Sequence, residues 1–134
     1  MSGIAVVQQL LVAYAPLTAV VPASRIVAED LPLDMDLPAI SIAQISSVDR
    51  KVLKRGDKRR VTDRVEVAVL ARDASERLLL VGLVRRAAAD FIGDLDEVTE
   101  VSITTDGQGP DVTIEPPGIR TRSQDLLVSY NELV

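Results

Sequence analysis

The chain contains neither cysteine nor histidine. Without cysteine there is no disulfide framework, no thiolate nucleophile and no zinc–thiolate site. Without histidine the commonest general base at neutral pH and the commonest transition-metal ligand are both missing. Aromatic residues are almost absent too. Tyr14, Phe91 and Tyr130 are the full set, too few for a platform on which single-stranded nucleic acid stacks. The longest apolar runs, 78–83 and 10–16, fall far short of the ~20 residues of a membrane-spanning helix. The first residues lack the basic region of a targeting signal, and Gln8 and Gln9 interrupt the apolar stretch behind them. These features predict a protein at work in the cytoplasm or assembled from it. No Walker lysine motif occurs, which excludes nucleoside triphosphate hydrolysis by that route.

What remains is 134 residues, 47% hydrophobic and 26% charged, the size and composition of a single globular domain spanning 1–134. The net charge is -5, which argues against a general nucleic-acid binder. The charge is strongly segregated. Residues 50–64 hold eight basic side chains, Arg50, Lys51, Lys54, Arg55, Lys58, Arg59, Arg60 and Arg64, against Asp57 and Asp63, a net of +6. The remainder holds seven basic and eighteen acidic residues, a net of -11.

The patterning predicts α+β. Ile4, Val7, Leu11 and Tyr14 recur at helical spacing over 3–14, with Ser2 as the cap and Pro16 as the stop. Residues 16–38 hold four of the seven prolines and read as a long ordered connection with a short strand near 25–27. Pro38 opens a strand over 39–48, whose Ile40 and Ile42 share a face; Ile45 breaks the phase and predicts a bulge. Over 60–72, Val61, Val65, Val67, Val69 and Ala71 alternate with Arg60, Thr62, Arg64, Glu66 and Arg72, a strand with one covered face. With Gly56–Asp57 as its tip, this pair reads as a long charged hairpin.

A helix capped by Asp73 or Ser75 follows over 74–92, with Leu80, Leu83, Val84, Ala87, Ala88 and Phe91 as its buried stripe and Gly93 as its stop. Strands near 98–105, 111–115 and 119–130 complete the order, separated by turns at 107–110 and 116–118. The last strand puts Leu126, Val128 and Tyr130 on one face. The predicted fold is a mainly antiparallel sheet packed against two helices, with the long charged β-hairpin at one end.

Few residues suggest chemistry. Gly107–Gln108–Gly109–Pro110 lacks the third glycine and the following helix of a phosphate loop, and reads as a turn. Asp34–Met35–Asp36 and Asp94–Leu95–Asp96–Glu97 offer oxygen ligands, but neither continues into calcium-loop spacing. As a glycosidase pair they lack aromatic partners for a sugar; both read as solvated loop charges. The strand faces turned to the helices read as almost purely Val, Ile, Leu and Ala, with no convergent polar group for a ligand pocket. No catalytic residue, metal site or cofactor is expected. The basic stretch carries three readings: a solvated tip that discourages edge pairing, a phosphate-contacting patch, or a protein interface meeting acidic surface. The acidic remainder favours the last.

In its order of elements the chain resembles the tail terminator, or tail completion, proteins of long-tailed bacteriophages and gene transfer agents. The resemblance spans nearly the whole chain. It rests on the helix Ile4 to Tyr14, the proline-opened strand Pro38–Ala39–Ile40–Ser41–Ile42, the charged hairpin, and the run DRVEVAVLARD from Asp63 to Asp73. That run leads into the helix with Leu80, Val84, Arg85 and Ala88, and a final strand ends in Leu127–Val128–Ser129–Tyr130. It implies a non-enzymatic virion protein, assembled in the bacterial cytoplasm. Six copies form a ring on the head-proximal end of the tail tube, stop its elongation and present a surface for head joining. The implied partners are further copies of the chain, the major tail tube protein and a neck or head-completion protein. DNA is only passing cargo in the lumen, and no membrane is involved. Two alternatives stand beside it: a head-to-tail connector of the neck, and a small α+β ligand-binding domain or enzyme.

Overall fold

The computed structural model describes residues 2–28, 36–50, 58–95, 98–114 and 118–133. Within them the chain is a mixed α+β protein with three α-helices and one seven-stranded, mostly antiparallel sheet.

Helix α1 runs Gly3–Ala13, and the Ser2 hydroxyl accepts a hydrogen bond from Ala5 N as the sequence predicts. Pro16 does not simply end helical structure. It stands in the first turn of a second short helix, α2 (Ala15–Thr18), where a missing N–H costs nothing. After a short turn at Ala23–Arg25 comes strand β1, Ile26–Ala28. It pairs in parallel with Ile40–Ile42 of β2 (Ala39–Arg50).

Strands β2 and β3 (Lys58–Ala71) pair antiparallel from Ala39↔Leu70 to Arg50↔Arg60, and the register shifts between Gln44 and Ser46, at the predicted bulge. The tip between them, with Lys51, Lys54, Arg55 and Gly56–Asp57, lies outside the described residues. Asp34 and Met35, the acidic positions Asp96 and Glu97, and the turn prolines Pro116 and Pro117 lie outside them too.

Helix α3 is Ala74–Ala88, capped by Asp73, whose carboxylate accepts from Glu76 N at 2.8 Å. It ends four residues earlier than its apolar pattern predicts. Asp90 takes φ 63° and turns the chain into strand β4, Ile92–Leu95, so Gly93 sits in a strand and stops no helix. Pairing with β5 (Val98–Gln108) wins over helical propensity here. The turn predicted at 107–110 starts later for the same reason, because β5 continues to Gln108. Strands β6 (Val112–Ile114) and β7 (Ile119–Leu133) follow. The sheet order is β1-β2-β3-β7-β5-β4, with β6 beside β7.

One apolar core joins α1, α2, α3 and the inner face of the sheet. Val6, Val7 and Leu11 of α1 meet Leu80, Val81, Leu83, Val84 and Ala88 of α3 over Val65, Val67, Val69, Leu126 and Val128. Each such side chain fully buried is worth about 1.5–3 kcal/mol in removed apolar surface. The other face of the sheet carries short polar side chains. Thr62 and Ser129 hydroxyls meet there at 2.9 Å, and the Arg60 guanidinium reaches Ser102 Oγ at 3.3 Å.

Candidate assembly surface

Period-two geometry sends odd-numbered residues of β3 toward the helices and even-numbered ones to the polar face. It therefore splits the basic segment. Arg60 spans the polar face: it donates to the carbonyl of Glu100 at 2.6 Å and to Asn131 Oδ1 at 3.3 Å. Asn131 in turn donates to Glu100 Oε2 at 2.8 Å. Arg64 lies between two carboxylates, Asp125 at 2.8 Å and Asp106 at 3.4 Å. The hydrogen bond to Asp125, then the charge of Asp106, hold its pKa above the ordinary arginine value. Arg59, an odd residue beyond the end of the buried face, pairs with Asp49 at 3.5 Å.

Three of the eight candidate interface residues thus have partners inside the chain. Arg50 is the last residue of β2 and Lys58 the first of β3, and Lys51, Lys54 and Arg55 lie outside the described residues. The geometry sets Arg64 against Asp106 and Asp125, and Arg60 against the Glu100 backbone and Asn131.

Asp63 belongs to neither the basic patch nor the solvent. It is 1% exposed, on the valine face between Val61 and Val65. Its Oδ2 accepts from Gly3 N, in the first turn of α1, and from the Tyr130 hydroxyl, each at 2.8 Å. A carboxylate at a helix N-terminus is favoured by the unpaired N–H groups there. Burial, and then the Asp63 hydrogen bond, push the Tyr130 hydroxyl above its ordinary range. Asp63 Oδ1 has no hydrogen-bond partner among the described residues. Gln124, also 1% exposed, is the second buried polar side chain. Its amide donates to the carbonyls of Gly107 and Asp125 and accepts from Gln108 Nε2.

The expectation of an almost purely aliphatic inner face is met with two buried polar exceptions, Asp63 and Gln124. The signal was in the sequence: Asp63 keeps step with Val61 and Val65, and Gln124 keeps step with Leu126 and Val128.

These groups do not converge on a ligand cavity. Two open depressions flank α3 instead. One, of about 400 Å³, is lined by Gly82, Arg85, Arg86, Ala89 and Asp90. The other, of about 230 Å³, is lined by Ala74, Arg77, Leu78, Asp111 and Arg122. Asp111 ties both arginines of the second, at 3.3 and 3.5 Å. Among the described residues no three His, Cys, Asp or Glu side chains are placed to hold a metal ion, and Asp94, which is exposed, accepts from Glu100 N at 2.9 Å. No described helix is long and apolar enough to cross a membrane.

The feature best suited to contact is the end of the sheet where β2 and β3 run on beyond the core. Gln44 to Asp49 are all exposed, including Ile45 at 50% and Val48 at 56%. No protein-family model matches the chain, and no curated protein matches its sequence.

Proposed function

We propose that this protein is a structural subunit of a phage-type tail, forming a ring that caps the head-proximal end of the tail tube, stops its growth and offers the head-joining surface. The observation that carries the reading is the order of elements around one sheet. An N-terminal helix, a proline-opened strand, a long alternating strand running straight into an amphipathic helix, and a long final strand follow one another, an order that resembles the tail terminator proteins. In this reading β2 and β3 form one hairpin with the basic segment at its tip. Arg59, Arg60 and Arg64 are held within the chain, so the contact charge is assigned to Arg50, Lys51, Lys54, Arg55 and Lys58.

A ring subunit needs two different surfaces that fit head to tail about an axis. A basic tip and an acidic body supply complementary charge for that contact. Each exposed pair is worth about 0.2–1 kcal/mol, so the ring closes only where a finished tube adds its own contacts. The ring acts by occupying the tube end, with no turnover of substrate.

The test is charge reversal. Lys51→Glu, Lys54→Glu and Arg55→Glu together leave the core untouched, and the variant should keep the wild-type melting temperature. It should fail to cap tail tubes, which then grow overlong in electron micrographs, and added salt should weaken wild-type capping in the same direction. The reading falls if the reversed variant caps normally while the wild type binds duplex DNA with a steep salt dependence.

A further inference from the structure

Among the described residues the sheet has two open edges, and they match. β1 pairs with β2 at Ile40–Ile42, and from Ala43 to Arg50 no described strand lies on the side of β2 away from β3. At the far end β4 pairs with β5 on one side and with no described strand on the other. Such edges present unpaired N–H and C=O groups, a template for a strand of another chain.

The two edges lie at the same height. One row of residues crosses the whole sheet: Val48 opposite Thr62, Thr62 opposite Ser129, Ser129 opposite Ser102, and Ser102 opposite Ile92. All five are on the helix-free face. The two ends of the row are its apolar members, Val48 at 56% exposure and Ile92 at 81%. Four antiparallel steps separate β2 from β4, so the two edge strands point the same way. Among the described residues β1 fills its edge only at a level that β4 does not reach, leaving steps that interlock.

We infer that the open edge of β4 pairs in parallel with the distal edge of β2 in the next copy of the chain, bringing Ile92 of one subunit beside Val48 of its neighbour. The occupant is a second copy, and charge selects it. In the sequence, residues 90–100 around β4 hold Asp90, Asp94, Asp96, Glu97 and Glu100 and no basic residue, while residues 50–58 between β2 and β3 hold Arg50, Lys51, Lys54, Arg55 and Lys58 against Asp57. Pairing β2 with β2 across a twofold axis would instead set two basic ends together. The contact is heterologous and repeats, so it closes into a ring when the rotation permits. With β4 only four residues long, the junction is weak in solution. The inference rests on the ring reading above and supplies its subunit contact.

The absence of cysteine makes the test direct. Val48→Cys and Ile92→Cys each replace an exposed side chain and should melt like the wild type. Mixed at high concentration, or on tail tubes, and oxidised, the two single variants should give a crosslinked dimer that neither gives alone. The double variant should give a ladder ending at the ring. Crosslinking of Val48→Cys with itself alone, or no crosslink either free or on tubes that the same protein caps, overturns the inference and leaves the capping function standing. A ladder from a protein that fails to limit tube length supports the contact and refutes the capping function.

Discussion

Replacing Asp63 tests whether one carboxylate holds α1 on the sheet. Two buried donors, Gly3 N and the Tyr130 hydroxyl, share Oδ2 at 2.8 Å. A hydrogen bond to a charged group is worth about 1.5–3 kcal/mol, and a buried donor left without an acceptor carries its full desolvation cost. Asp63→Ala removes both bonds at once, a loss of about 3–6 kcal/mol from a fold whose total is about 5–15 kcal/mol. The melting midpoint should fall by on the order of 10–20 °C. Asp63→Asn places an amide oxygen where Oδ2 stands and keeps both bonds. Its NH2 takes the position of Oδ1, which has no hydrogen-bond partner among the described residues, so the loss should be about 1–2 kcal/mol. Urea titration followed by circular dichroism gives both numbers. A double-mutant cycle with Tyr130→Phe should show a coupling above 1 kcal/mol. If Asp63→Ala unfolds within about 1 kcal/mol of wild type and the cycle is additive, the carboxylate holds nothing and the reasoning fails.

Three further outcomes follow from the same geometry. Gly3→Ala should destabilise by about 1–3 kcal/mol, although alanine is the better helix former, because the new Cβ would stand 2.7 Å from Asp63 Cβ and Oδ2; a variant more stable in urea would contradict this. Val67, fully buried, should not tolerate a carboxylate: Val67→Asp is expected to lose several kcal/mol and fail to give a cooperative melt. Tyr130 has a pKa raised by burial and by Asp63, so its contribution is complete below the unfolded value near 10 and is lost as pH rises above that. Stability measured from pH 8 to 11 should decline at the alkaline end, and Tyr130→Phe should flatten the decline.

Much of the fold is written in local patterning. The caps Ser2 and Asp73, the alternation from Val61 to Ala71, the phase break at Ile45 and the inward face of Leu126, Val128 and Tyr130 all act within a few residues of themselves. What escaped was set by partners distant in sequence. Ile92–Leu95 became a strand because β5 lies beside it. Asp63 was legible by period yet masked by composition, since it stands among cations. The basic segment misled in the opposite way. Its charge count treats all eight side chains alike, whereas the pleat turns Arg60 and Arg64 onto a face where Asp125, Asp106 and Glu100, far off in sequence, meet them.

The link from Gly3 through Asp63 to Tyr130 also bears on the order in which the molecule is assembled. Gly3 and Asp63 are 60 residues apart, and Asp63 and Tyr130 a further 67. On the ribosome α1 emerges first, but its anchor waits for β3 and the hydroxyl that completes the anchor waits for β7. Until then Val6, Val7 and Leu11 have no sheet to cover, and a short helix alone is marginal in water. Contacts of such span slow folding, because chain entropy is lost before they form. Substitutions at Gly3 or Tyr130 should therefore appear chiefly as faster unfolding, with the refolding rate little changed.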